Sequence, residues 1–287
     1  MTAAGGRSAA APLRLYHTRH GALLESDSEW SACGESFDAL VARGDDLLPR
    51  LRDLARSAPR VPRPSDAEIL PPIESQELWG AGVTYYQSRT ARMEESAGAG
   101  GASFYDRVYH ADRPELFFKA TPHRVVGPGQ AMRLRRDSTW IVPEPELTLL
   151  VSPAGRVLGY TIGNDLSCRD IEGENPLYLP QAKTYDRCAA LGPSVLITEA
   201  PLPADTAIEL EIRRGPAVVF SGATTLGQIK RPLEELVGYL FRESSFPAGC
   251  LLMTGTGVVP PDGVSLQRGD EARITIGPIG TLTNRME

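Results

Sequence analysis

The 287-residue sequence predicts a strand-rich α+β fold, with a small N-terminal α/β domain over residues 1–72 and a larger β-rich domain over residues 73–287. Three features carry that prediction. Beyond residue 72 the chain passes through short apolar or alternating runs, LWGAGVTYY, LFFKA, LTLLVS, VLGYTIG, SVLIT, AIELEIRR, AVVFSG and ARITIG, separated by Gly, Pro and Asp. These runs do not alternate with long helices, which disfavours a doubly wound parallel sheet. Between the two halves, SAPRVPRPSDAEILPP places five prolines in residues 57–72, and proline both fixes φ and removes the backbone donor, so regular structure stops there.

In chain order, residues 1–12 are small and featureless and read as a frayed tail. LRLYH reads as a strand, and residues 36–56, with Leu40, Val41, Leu47, Leu48, Leu51 and Leu54, read as helical. Two further helices are expected over residues 88–96 (SRTARMEES) and 232–242 (PLEELVGYLFR), the second with Leu233, Leu236, Val237 and Leu240 at helical spacing. There is no internal repeat.

With 41% hydrophobic and 23% charged residues the chain has an ordinary globular composition, and its length allows a substantial core. A net charge of −6 argues against a nucleic-acid surface, which needs clustered Lys and Arg to displace phosphate counterions. No stretch reaches the ~18 apolar residues of a membrane helix, and no basic-then-apolar signal pattern opens the chain. Cys33, Cys168, Cys188 and Cys250 are widely spaced, without a C-x-x-C pair, and read as free thiols. The expected location is the cytoplasm.

Chemistry concentrates in STWIVPEPELTLLVS. Glu144 and Glu146 are two apart in an extended stretch, so both point to one face, where they either meet one ion or form a solvated surface. Pro143 and Pro145 stiffen the segment and are expected to confine it to an edge or a bulge. A third carboxylate, Asp165 in GYTIGNDLSCRD, follows an apolar strand and a Gly-Asn pair that should turn the chain sharply. Three oxygen donors without a neighbouring His or Cys suit Mg²⁺ or Mn²⁺, with Ca²⁺ as a further hard-cation option, and leave coordination positions for water and a chelating substrate. His17, His20, His110 and His123 lie elsewhere in the chain. Lysine occurs only at Lys119, Lys183 and Lys230, so Lys183, soon after the carboxylates in a Pro- and Gly-punctuated loop, is either a solvated surface residue or a proton carrier whose pKa burial near a metal lowers.

Read together, E-P-E-L, G-x-x-x-x-N-D-x-S-x-R-D, a lysine before L-G-P, T-G-T-G-V-V-P and I-G-x-L-x-N resemble the fumarylacetoacetate hydrolase family over residues 78–284. The resemblance implies a mixed β-roll or sandwich-like domain with a divalent cation at its mouth, a homodimer or homotetramer, and catalysis on small 2-oxo acids. It gives Glu144, Glu146 and Asp165 the metal-ligand places and Lys183 that of the active-site lysine. Thr256 matches a substrate-contacting threonine, although its glycine-rich surroundings also permit a backbone role in a tight turn.

The C–C hydrolases of this family carry a water-activating histidine in a G-x-N-Y-x-x-H element, where GVTYYQS here has Ser88. Hydrolysis is therefore disfavoured. FYDRVYHADRPELFFKATPHRVVGP, DSTWIVPEPEL and SRDIEGENPLYLPQAK instead resemble the family's 2-keto-3-deoxy-D-arabinonate dehydratase branch, in which a glutamate at the place of Glu115 is a candidate acid/base group. The expected reaction is metal-dependent dehydration: a 2-oxo-3-deoxy sugar acid chelates the cation, one of Lys183 and Glu115 removes the C3 proton, and the same or the other protonates the departing C4 hydroxyl. Arg89 pairs with the substrate or bridges to Glu94 or Glu95 along its helix. Arg169 and Asp170 are expected to brace the metal loop as a pair. A C–C hydrolase, a decarboxylase and a noncatalytic metabolite-binding protein are the alternatives.

Overall fold

The computed structural model describes residues 12–88 and 102–287. Arg89, Glu94, Glu95 and most of the helix expected over residues 88–96 lie outside the described residues. The chain opens with a meander of β1 (Leu13–Thr18), β2 (Gly21–Ser26) and β3 (Glu29–Ala32), then α1 (Phe37–Val41) and α2 (Leu47–Ser57). The single helix expected over 36–56 is thus divided, because Gly44 takes φ +57° and opens a 3₁₀ turn at Gly44–Asp46. Ser36 caps α1 by accepting from the Ala39 N–H at 3.1 Å.

There follow β4 (Glu77–Gly82), α3 (Ala102–His110), β5 (Glu115–Ala120), β6 (Val125–Val126), β7 (Ala131–Met132), β8 (Ile141–Val151) and β9 (Val157–Cys168). Next come α4 (Arg169–Glu174), α5 (Leu179–Lys183), β10 (Ala189–Ile197), β11 (Ala207–Arg214) and β12 (Ala217–Thr225). The described chain closes with α6 (Leu233–Leu240), β13 (Cys250–Met253), β14 (Glu271–Ile276) and β15 (Gly280–Met286).

Most strands pair antiparallel. One sheet runs β3-β2-β1-β10-β9-β8-β13-β4-β5, with β6 beside β10, and the other runs β12-β11-β14-β15-β7. The N-terminal meander continues the larger sheet, since β1 pairs with β10. Side-chain alternation explains how the sheets stack. Leu147, Leu149 and Val151 of β8 share a face and pack with Ile208, Leu210, Ile212, Ile274, Ile276 and Leu282 of the smaller sheet. Leu150 points the other way and joins Leu40, Leu47, Leu51 and Leu54 of the helices. Each such buried leucine contributes about 1.5–3 kcal/mol. β8 is consequently buried along its whole length, and the even-numbered face that carries Leu150 also carries Glu144 and Glu146.

Two expectations are corrected here. Gly163-Asn164 makes no turn but lies inside β9, paired on one side with β8 and on the other with β10. Glycine at 163 serves packing instead: a Cβ there would collide with Thr148 Oγ1 and come within 2.8 Å of Met253 Cε. Pro143 and Pro145 sit in an interior strand, not on an edge. β13 pairs only with Thr148–Val151 of β8, so at the prolines the strand is open on that side and a missing N–H forfeits no ladder bond there.

Among the described residues no helix is long and apolar enough to cross a membrane. All four cysteines are free and buried, and burial pushes the Cys33 and Cys250 thiols up to about 12. The folded protein should therefore resist a thiol-labelling disulfide reagent near pH 8 and react at all four positions once denatured; fast labelling of the native protein would contradict this burial. A Cβ on Gly159 would come within 2.5 Å of the Leu196 carbonyl oxygen on β10. Gly159→Ala should accordingly lower unfolding stability by about 1–3 kcal/mol in a denaturant titration.

Candidate metal centre

Strand register brings the acidic residues together. The β8–β9 pairing sets Glu144 opposite Asp165 and Glu146 opposite Gly163. Residues two apart on a strand share a face, and so do opposed residues of an antiparallel pair, which places all three carboxylates on one side of the sheet. One oxygen of each lies within 4.8 Å of the others. Glu144, Glu146 and Asp165 are only 4%, 3% and 0% exposed.

Like charges opposed on a sheet repel, and burial strengthens the repulsion. Three buried cations answer it. Lys183 Nζ donates to Glu144 Oε2 and, at 3.2 Å, to Asp165 Oδ2, and stands 3.7 Å from Glu172. Arg169 Nη2 donates to Glu144 Oε1 at 2.8 Å. Lys119 Nζ lies 2.5 Å from Asp165 Oδ1, and Glu172 is held by a 2.6 Å bond from Ser167 Oγ. Glu146 accepts from the Gly255 N–H at 2.5 Å. Burial first, and then the charges of Asp165 and Glu144, push the Glu146 carboxyl well above its ordinary range, against the opposing pull of Lys183 and that N–H.

The donor set fits a hard dication. It offers three convergent oxygens and no sulfur or nitrogen ligand, and three protein ligands leave half of an octahedral shell for water and a chelating substrate. A dication among the carboxylates also turns their mutual repulsion into attraction.

Of the other residues singled out in the sequence, Lys183 joins the carboxylates directly, from the last position of α5 rather than from a loop. Glu115 is half-buried on β5, opposite Gly82, with Phe117 opposite Gly80. Without Cβ atoms the two glycines let both side chains lie flat over β4; Phe117 Cζ comes within 2.5 Å of where a Gly80 Cβ would stand. Glu115 and Phe117 share a face, and the Phe117 ring centroid lies 5.6 Å from Lys183 Nζ, so Glu115 looks toward the lysine's side of the sheet.

Thr256 is buried, and its Oγ1 accepts from the Val258 N–H at 3.2 Å. The TGTG loop reaches the carboxylates through Gly255, whose φ of +89° aims its N–H at Glu146. Ser88 Oγ donates to the Tyr85 carbonyl at 2.8 Å, which folds it back on its own turn. Arg169 and Asp170 do not pair with each other. Asp170 accepts from Ser138 Oγ and the Thr139 N–H, each at 2.6 Å, while Arg169 holds Glu144, so each braces a different segment.

Sequence reasoning missed Lys119, Glu172 and Tyr85. The first had a signal, a charge inside the apolar run LFFKA in a chain with three lysines. Tyr85 is buried with a hydroxyl that has no partner among the described residues, and burial, then the charge of Glu146, push that phenol above its ordinary range.

Two stacked sheets carry a strand-borne carboxylate trio beside a buried lysine, a donor set that could hold a hard dication. Comparison with known proteins agrees with that reading. The profile of the fumarylacetoacetate (FAA) hydrolase C-terminal family matches residues 94–287. A "Probable 2-keto-3-deoxyxylonate dehydratase" of Haloferax volcanii is 47% identical over 220 residues, 76% of this chain and 75% of that one. A 2-dehydro-3-deoxy-D-arabinonate dehydratase of Saccharolobus solfataricus is 44% identical over 220 residues, covering 76% and 74%. A solved structure of 2-keto-3-deoxy-D-arabinonate dehydratase complexed with magnesium and 2,5-dioxopentanoate superposes with a TM-score of 0.82 at 34% identity, covering 96% and 98% of the two chains. The chain belongs to the fumarylacetoacetate hydrolase family.

If the trio holds the cation, Glu146→Gln should weaken Mn²⁺ uptake by at least about tenfold in titration calorimetry while leaving the circular dichroism spectrum unchanged. Unaltered uptake by the folded variant would remove Glu146 from the ligand set.

Proposed function

We propose that this chain is a Mg²⁺-dependent dehydratase of a 2-oxo-3-deoxy sugar acid of the 2-keto-3-deoxy-D-arabinonate type. The observation that carries the reading is the buried Glu144, Glu146 and Asp165 cluster with Lys183 bonded into it, in a chain 44% to 47% identical to two dehydratases. The solved relative with magnesium and 2,5-dioxopentanoate supports the choice of metal and of substrate class.

Mg²⁺ held by Glu144, Glu146 and Asp165 would supply Lewis acidity to a bound 2-oxo acid and so make its C3 proton acidic. The protein's own groups then handle the protons. Lys183 Nζ, bonded to Glu144 and Asp165 and 3.7 Å from Glu172, is the donor placed to protonate the departing C4 hydroxyl. Glu115, half-buried on β5 facing the lysine's side, is the carboxylate suited to accept the C3 proton. Arg89, Thr256 and Ser88 are proposed to contact substrate. Ser88, standing where the family's hydrolases have their water-activating histidine and turned back on Tyr85, favours elimination over hydrolysis.

We also propose a homodimer or homotetramer in the cytoplasm. β12 supports the assembly as an edge strand with Val218 and Val219 exposed, and the four free cysteines support a reducing compartment. Light scattering coupled to size exclusion should return two or four times the chain mass; a monomer at micromolar concentration would overturn the assembly.

The function is tested by incubating purified protein and Mg²⁺ with 2-oxo-3-deoxy acids, acylpyruvates and oxaloacetate, with and without chelator. Mass spectrometry should show loss of about 18 mass units, one water, from the deoxy acids only. Products of C–C cleavage or decarboxylation would point to the corresponding alternative. Lys183→Ala and Glu115→Gln should each lower kcat by about 10²–10⁴-fold, and full Mg²⁺-dependent turnover by either variant would remove that residue from the chemistry.

A further inference from the structure

Lys119 is fully buried, as is its partner Asp165. Its location has a structural cause. In the β4–β5 register Trp79 pairs with Phe118 and Leu78 with Ala120, so Lys119 is the extra residue of a β-bulge, and a bulge re-aims the side chain it carries. The Lys119 chain crosses to β9 and α5, where Nζ lies 2.5 Å from Asp165 Oδ1 and donates to the carbonyls of Leu166, at 3.0 Å, and of Lys183. One ammonium thereby grips the carboxylate of a metal-ligand candidate and the backbone of the lysine assigned to proton transfer. The Tyr185 ring stands 5.9 Å from it.

The geometry points to Lys119 as a positioning residue that fixes Asp165 through an ion pair at its Oδ1 oxygen and ties the C-terminal end of α5, so that Lys183 Nζ reaches Oδ2 of the same carboxylate. This inference rests on the metal-site reading given above. A buried ammonium is costly unless it is paired and bonded, and here two N–H groups donate to the Leu166 and Lys183 carbonyls while the charge lies against Asp165 Oδ1 as an ion pair. Rotation of Asp165 away from the ion is what they prevent, and outer partners of this kind commonly govern metal affinity.

The test is a double-mutant cycle read by Mn²⁺ titration calorimetry on wild type, Lys119→Met, Asp165→Asn and the double variant. Lys119→Gln, which retains an N–H donor without the charge, runs in parallel in case the methionine variant does not fold. Lys119→Met or Lys119→Gln should weaken Mn²⁺ binding by about 10–100-fold in the wild-type background and have little further effect beside Asp165→Asn, because the lysine acts through that carboxylate. At saturating metal both should lower kcat more than they raise KM, since Lys183 is displaced as well. A folded variant with wild-type Mn²⁺ affinity overturns the role of Lys119, and so does an equal loss in the Asp165→Asn background, the mark of a purely structural effect. Wild-type protein that takes up no Mn²⁺ overturns the metal-site reading itself.

Discussion

Across the β8–β9 pair Glu144 and Asp165 stand directly opposed in a buried sheet interior, with Glu146 on the same face. Such an arrangement is unfavourable in isolation, because carboxylates opposed on a strand pair repel and the interior screens them poorly. Everything around them answers that cost. Lys183, Arg169 and Lys119 come from three different segments to bond individual carboxylate oxygens, and Gly255 adds a backbone N–H. In the described part of the cluster Glu144, Glu146, Asp165 and Glu172 still outnumber the three cations. A dication is the chemically natural complement.

The rest of the fold gives this cluster a fixed frame. β8 and β9 are the longest strands, packed on one face by the smaller sheet and on the other by the N-terminal helices, so their register cannot slip without exposing every leucine on the core side. Because side chains alternate, the same register that buries Leu147 and Leu149 aligns Glu144 and Glu146 with Asp165. Packing and chemistry are fixed by one choice. The glycines opposite Glu115, Phe117 and Glu146 clear space beside the cluster, which no bulkier residue would leave.

Much of this was legible in the residues themselves. Period-two alternation was enough to place Glu144 and Glu146 on one face, and the scarcity of lysine drew attention to Lys183. The family resemblance rested on several motifs in fixed order and the dehydratase likeness on three longer stretches, and the 47% and 44% identical relatives agree with both. Partners across the sheet were less visible. Gly163-Asn164 reads locally as a turn, and only pairing with both β8 and β10 holds it extended; the prolines of β8 read as an edge because nothing local reveals that β13 stops short of them. Lys119 escaped notice since its role depends on a bulge and on contacts to Leu166 and Lys183, 47 and 64 residues away. Long-range contacts of that kind leave no mark on local pattern.

Anomalous X-ray diffraction from a Mn²⁺-soaked crystal addresses the carboxylate centre most directly. A single strong peak about 2.0–2.3 Å from one oxygen each of Glu144, Glu146 and Asp165 is the predicted result, at distances typical of hard-cation coordination. No peak among those oxygens, or a peak bound elsewhere on the chain, would contradict it.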